Sequence, residues 1–393
     1  MIYKHPTEIP KSDKIKGLRW TGERVPYPVN EIHGDTYPLA WGDDGEIYTS
    51  AGDPNWAFVD GKPTPLTWQE AIEMPGIYPH MGGLDIEKIS GTGKCFAIKR
   101  VNSMPGLTGP GGRGPKPTGL VSVNGSLYLA VQNLLGSKPP RFGEKSQHGS
   151  DATILRSDDY GLTWSPDIQS WWPEFEAKYY SRKEWKWVNS PEDRESYNGW
   201  KPMFPGNLFG GPSFIQFGQD NSGALDDYVY AVSGDQWDNG NEMRLGRVPK
   251  GGIIDEKAWE FAVLQDDGSV QWTNKLEESK PVLIIERHLG VPEMVYFPSI
   301  GRYLLLTWGL HKDFHVEAGS ELTVLESEHP WGPFKLVHYE EIWDSVKVCP
   351  YCPRIPMKWF DEKTMSGWLL HSGNWFSMDP WYRMHIKPFE LLF

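Results

Sequence analysis

The chain is poor in several things that would fix its class early. Of 393 residues only three are cysteine, too few for a disulfide-built scaffold. Its apolar runs are short: Tyr303–Trp308 is among the longest, far from the roughly 20 residues that a membrane helix needs. Amphipathic stretches of 3.6-residue period are hard to find, because Pro or Gly interrupts most windows long enough to hold one. Positive charge is in deficit, with a net charge of -13, and this excludes sequence-independent binding of a phosphate backbone over the whole surface. The first sixteen residues alternate Lys, Pro, Asp and Ser without an apolar stretch, so no secretion signal is visible. The expected compartment is the exterior or periplasm if a leader has been removed, and the cytoplasm otherwise.

Turn formers and aromatics are what the chain has in quantity: 42 Gly, 33 Pro, 20 Trp, 17 Tyr and 16 Phe. Short alternating or apolar runs bounded by turn residues read as many short strands. A loose repeat organises them. Its five copies are hairpins: Asp35–Trp41 with Glu46–Ser50, Thr118–Val123 with Ser126–Val131, Pro212–Phe217 with Tyr228–Val232, Pro292–Phe297 with Arg302–Leu306, and Pro353–Phe360 with Gly367–His371. A third strand follows each, beginning at Cys95, Ala152, Met243, Leu322 and Tyr382. The prediction is an all-β chain forming one five-bladed β-propeller over residues 1–393, since radial repetition shields sheet edges. The fifth copy runs out of chain at Phe393, so its outermost strand is expected from the amino terminus around Leu18–Val25. An aromatic-rich insertion at 165–209 separates the second and third blades.

The stretch Ser157-Asp-Asp-Tyr-Gly-Leu-Thr-Trp164 fits S-x-D-x-G-x-T-W, the Asp-box turn of sialidase-like propellers. Asp159 suits backbone N–H groups, Gly161 a positive φ, and Trp164 the space between sheets. Its expected role is structural.

In a propeller the innermost strands begin at one face, and the loops between second and third strands return to it. That face receives Asp35, Lys116, Glu293 and Arg354 from strand starts, and acidic–aromatic loops such as Gly52–Trp56, Gly234–Asp238 and His371–Trp375. Trp rings stack on sugar C–H faces, while paired carboxylates supply an acid with a nucleophile or base. The expected partner is therefore a carbohydrate, with no nucleic acid and no membrane; the oligomeric state stays open.

Four stretches carry a family resemblance: His33-Gly-Asp35, Tyr48–Asp53, Arg247-Val-Pro-Lys250 and Pro292–Pro298. Together they resemble a five-bladed propeller family, long labelled only as a domain of unknown function, that includes bacterial endo-D-arabinanases. The resemblance implies a glycoside hydrolase in which Asp35 and Asp53, at the two ends of the first hairpin, are catalytic. Asp35 opens an inner strand and Asp53 leaves the adjacent one, so the hairpin itself brings both to one mouth. The competing role for each is a turn-capping aspartate. Glu293 and Asp235 are candidates for a third carboxylate. His33, Trp56, Arg113, Lys116, His148, Trp237, His311, Arg354 and Trp375 are candidate substrate-binding residues.

No cofactor and no metal are expected. His311-x-x-x-His315 would need a helix to converge, and Cys349-x-x-Cys352 has no second pair to complete a zinc site. The cysteines read as packed thiols or a small-loop disulfide. Two other functions stay open: a polysaccharide lyase, with His148, His311 or Tyr351 as base and Arg113 or Arg354 neutralising a uronate, and a non-catalytic carbohydrate-binding propeller.

Overall fold

The computed structural model describes residues 1–26, 34–52, 56–59, 62–65, 83–105, 115–135, 148–168, 202–311, 318–374 and 382–393. It is an all-β ring of five blades, with only single 3-10 turns for helix among the described residues. No helix there is long and apolar enough to cross a membrane.

Blade 1 orders Asp35–Trp41, Ile47–Gly52, Gly83–Thr92 and Cys95–Pro105 outward from the axis. Blade 2 holds Pro115–Val123, Ser126–Leu135 and His148–Ser157. Blade 3 begins with Ser213–Phe214, Tyr228–Gly234 and Gly240–Pro249, and its third strand pairs on its outer edge with both Glu260–Leu264 and Leu283–Leu289. Blade 4 is Glu293–Phe297, Arg302–Leu310, Ser320–Ser327 and Lys335–Glu340. Blade 5 is Tyr351–Arg354, Ser366–Ser372 and His385–Leu392, completed by Gly17–Trp20 from the other end of the chain. That pairing sets Gly17 opposite Leu392 and Trp20 opposite Phe389, which closes the ring where the sequence leads one to expect it.

One strand departs from the expectation. Cys95 opens the fourth strand of blade 1; the third is Gly83–Thr92, joined to it by a tight turn. Alternation hid this strand, because two of its inward side chains are the acids Asp85 and Glu87.

Apolar residues from facing strands form five separate cores, one in each gap between adjacent blades. Trp308 and Trp343 are fully buried between blades 4 and 5, and Trp259 between blades 2 and 3. Burying a side chain of that size contributes roughly 1.5–3 kcal/mol. Between blades 1 and 2 the plug is Trp164, whose indole donates to Gly161 O at 3.0 Å. The turn that delivers it is wired by Asp159, which accepts from Thr163 N and Oγ1 at 2.8 and 2.6 Å. Gly161 has φ 93° and lies against Ile86, so a β-carbon there would be both strained and crowded. Most of the 165–209 insertion lies outside the described residues.

Candidate active site at the channel mouth

Asp35 begins the innermost strand of blade 1, opposite Gly52 of the next strand. The backbone around it is unusual. Gly34 has φ 137°, and a β-carbon on it would meet Gly52 O at 2.4 Å. Thr36 and Tyr37 follow with φ of 77° and 41°, and the ladder slips register between Thr36 and Leu39. This is a bulge of left-handed non-glycine residues, a conformation costing roughly 1–2 kcal/mol per residue. It is held from outside, where Thr36 N donates to Ser372 Oγ of blade 5 at 2.8 Å, and from within, where Tyr37 Oη donates to Gly34 O at 2.9 Å. Strain of this kind, held by neighbours, is a mark of functional backbone.

The bulge delivers the Asp35 carboxylate to the axis, where its accessibility is 5%. Lys116 Nζ of blade 2 lies 2.7 Å from Oδ1, and Tyr351 Oη of blade 5 donates to Oδ2 at 3.1 Å. Burial and the adjacent Asp35 charge push the Tyr351 phenol well above its ordinary range, so it stays a donor. Gly52 has to lack a side chain, because a β-carbon there would come within 2.9 Å of both Asp35 Oδ1 and Lys116 Cδ.

The buried Cys352 thiol is pushed up to about 12, first by burial; Arg354 and Lys116 oppose this, and Asp35 and Asp238 add to it. Asp238, in the loop between the second and third strands of blade 3, is fully buried. Sequence reasoning passed over it in favour of Asp235, three residues earlier. The signal that distinguishes them is burial, which a run of Asp-Gln-Trp-Asp does not announce.

Further into the channel, Arg354 and Glu293 form a buried ion pair at 3.1 Å, with accessibilities of 0% and 2%. Arg354 Nε donates to Thr36 O of blade 1, Nη2 to Thr118 O of blade 2, and Nη1 to Ser213 Oγ of blade 3 and Pro292 O of blade 4, all within 3.1–3.3 Å. One guanidinium thus joins all five blades. Glu293 Oε1 also accepts from Ile355 N at 2.7 Å; burial raises its carboxyl despite Arg354.

The remaining described candidates are dispersed. Asp235 caps its own loop, accepting from Asn241 N and Glu242 N at 2.8 and 3.1 Å. Trp237 packs into the apolar core that includes Trp308 and Tyr351. His311 bonds Glu341 O at the rim. Trp56 lies in a short ladder with 62–65, and His148 pairs in register with Leu135 of blade 2. His33, Asp53, Arg113, His315 and Trp375 lie outside the described residues. Cys349 and Cys352 are buried free thiols, both pushed up to about 12 by burial, too high for a nucleophile. Among the described residues no group of three or more His, Cys, Asp or Glu is arranged to hold a metal.

No family model matches the chain, and no curated protein matches it in sequence. Solved structures do match in fold. A putative hydrolase from Bacteroides ovatus is 12% identical over 92% of this chain and 86% of its own, with a TM-score of 0.50. A GH43_1 enzyme from Xanthomonas citri is 12% identical, covering 94% of this chain and 90% of its own, with a TM-score of 0.45. The α-L-arabinofuranosidase PaAbf62A from Podospora anserina is likewise 12% identical over 97% and 98%, with a TM-score of 0.46. At such identities the likeness speaks for the fold alone.

Proposed function

We propose that the protein is a glycoside hydrolase working at the mouth of the channel. The observation that carries this reading is the Asp35 carboxylate, placed on the axis by a strained bulge and held between a cation and a phenol. A lysine ammonium at 2.7 Å favours the ionised carboxylate, which suits a nucleophile or base better than an acid. Asp53, directly after the Gly52 that pairs with Asp35, is proposed as the acid partner. Glu293 is proposed to hold the blades through Arg354 and to stay out of the chemistry, because its oxygens are committed to Arg354 and Ile355. Tyr351 fits a lyase base poorly, since its phenol is held protonated.

The test is a polysaccharide panel with Asp35→Asn and Asp53→Asn run beside the parent protein. New reducing ends without unsaturated-uronate absorbance are expected from the parent. Each variant should lose at least about 10²-fold in turnover, the typical contribution of a positioned proton-transfer group. Asp53→Asn should melt near the parent temperature, and Asp35→Asn below it, because Lys116 is left buried without its counter-charge. Near-parental rates in either variant would remove that residue from the mechanism. An absorbing product would replace hydrolysis with elimination.

A further inference from the structure

Lys116 reaches Asp35 from a different blade, on a strand as irregular as the one that carries the acid. The innermost ladder of blade 2 skips Thr118, pairing Ala130 with Gly119 and Val131 with Pro117. Lys116 precedes Pro117, whose ring confines it to an extended backbone. Two bulged strands in neighbouring blades thus converge on one contact, Lys116 Nζ to Asp35 Oδ1 at 2.7 Å. Gly52 leaves the room they need. A β-carbon there would lie 2.9 Å from both Asp35 Oδ1 and Lys116 Cδ, and 3.0 Å from Pro117 Cδ.

Stability does not account for this construction. The side chains of Lys116 and Asp35 are 5% and 7% exposed, so both charges lose most of their water. A buried ion pair of this kind is often no better for a fold than apolar residues of equal volume. What the pair does fix is the charge and the orientation of the carboxylate. Lys116 takes Oδ1, and Tyr351 of blade 5 donates to Oδ2 at 3.1 Å, so the two oxygens are held from two sides. A cation this close typically lowers the titration of an aspartate by about 1–3 pH units, and a donor to the charged form adds to that.

Other titratable groups surround the clamp. Tyr37 of blade 1 and Cys352 of blade 5 both feel the Asp35 charge. Burial, before any charge, pushes each above its ordinary range, so neither is ionised at neutral pH. Glu87 and Asp85 of blade 1 also act on Tyr37, with Arg383 opposing them, while Arg354 and Asp238 act on Cys352 and Tyr382 on Tyr351. Arg354 directs its guanidinium to backbone carbonyls, Ser213 and Glu293. The cation in contact with the Asp35 carboxylate is Lys116.

We propose that Lys116 and Tyr351 are positioning residues for the reaction at Asp35, and that Lys116 sets the pH below which this reaction stops. This rests on the glycosidase reading, in which Asp35 works as an ionised nucleophile or base. Protonation ends that role, so a weaker hold on the Asp35 charge raises the pH at which activity is lost.

The test follows Asp35 in two ways in the full-length protein. Its carboxyl carbon is titrated by NMR in protein labelled at aspartate Cγ, the signal being identified by its loss in Asp35→Asn. The acid limb of kcat/KM is measured on a polysaccharide that the parent cleaves. Lys116→Gln keeps a neutral donor, and it should raise both the titration and the limb by about 1–3 pH units. At a fixed pH below the parent limb this reads as a loss of about ten- to a thousandfold, since each unit is a factor of ten. Activity should return as the pH rises past the new limb, which a merely damaged fold would not allow. Tyr351→Phe should move the titration in the same direction by less. Gly52→Ala keeps both charges but forces Asp35 and Lys116 to give way, and it carries the test if Lys116→Gln does not fold. An Asp35 titration unchanged in Lys116→Gln, or in Gly52→Ala where that variant decides, overturns the proposal whether or not any polysaccharide is cleaved. So does an acid limb that stays in place while the titration moves. If the titration rises but the parent cleaves nothing, Lys116 still holds Asp35 and the hydrolase reading falls.

Discussion

His371 is wholly buried on the second strand of blade 5, its ring edge-on to Trp343 and stacked on His385 at 5.1 Å. Nδ1 donates to Ser372 O at 2.8 Å, and Nε2 has no hydrogen-bond partner. Burial drives its basicity down from 6.5 to about 4, so the folded protein keeps the ring neutral where an unfolded chain would protonate it. The unfolded state then binds more protons between those two values. Stability from this group is complete above pH 6.5 and is lost as pH falls toward 4. Denaturant titrations at pH 7.5 and pH 4.5 should show a drop that His371→Phe reduces; an equal drop in both proteins would discard the assignment. Legibility at this scale was uneven. Asp35 could be picked out because it opens a strand after Gly, and Lys116 because it opens another. Their ion pair could not, since it depends on a bulge at Thr36 and Tyr37 that no residue type there demands. Asp238 was invisible for a related reason: a buried and a half-buried aspartate in one loop look the same in sequence.

The third strand of blade 1 shows an element obeying packing rather than pattern. Gly83–Thr92 places Leu84 and Ile86 toward blade 2, while Asp85, Glu87 and Ile89 face blade 5. Asp85 is answered by Arg100 Nε at 2.8 Å and Ser103 Oγ at 2.7 Å. Glu87 is not: both its oxygens are buried without a hydrogen-bond partner, as is Thr49 Oγ1 of its cross-strand neighbour. Burial above all, and then the charge of Asp85, push the Glu87 carboxyl well above 4.5. A raised acid makes the folded state the one that holds the proton, so stability declines as pH rises above 4.5 toward the raised value. Glu87→Gln keeps the volume, cannot ionise, and brings a donor to Thr49. It should match the parent near pH 4.5 and exceed it at pH 8 by about 1–2 kcal/mol. Equal melting curves at pH 8 would mean that Glu87 finds a partner in solution. Two acids on an inward face also explain why this strand escaped a search for alternating apolar residues, whereas the five inner hairpins, rich in Tyr, Leu and Val, did not.

At the scale of the whole ring, five inner strands converge on an axis too narrow to leave empty, and the chain fills it with Arg354. The repeat made five blades readable and the short last copy made the N-terminal closure readable. That one arginine would serve all five blades was not, because its partners are mostly backbone carbonyls, which sequence does not display. Removing it should be costly in a specific way. Arg354→Met leaves Glu293 buried with only the Ile355 N–H for company, and an uncompensated buried charge typically costs about 3–5 kcal/mol. The carbonyls of Thr36, Thr118 and Pro292 lose their donor as well. Adding Glu293→Gln removes the stranded charge but cannot replace those donors, so the double variant should recover part of the loss and stay below the parent. Denaturant midpoints of the parent, both single variants and the double variant close the cycle. A double variant no better than Arg354→Met would show that the guanidinium holds the ring through carbonyls alone. One restored to the parent value would show that the ion pair merely fills space, and that the blades meet at the axis without it.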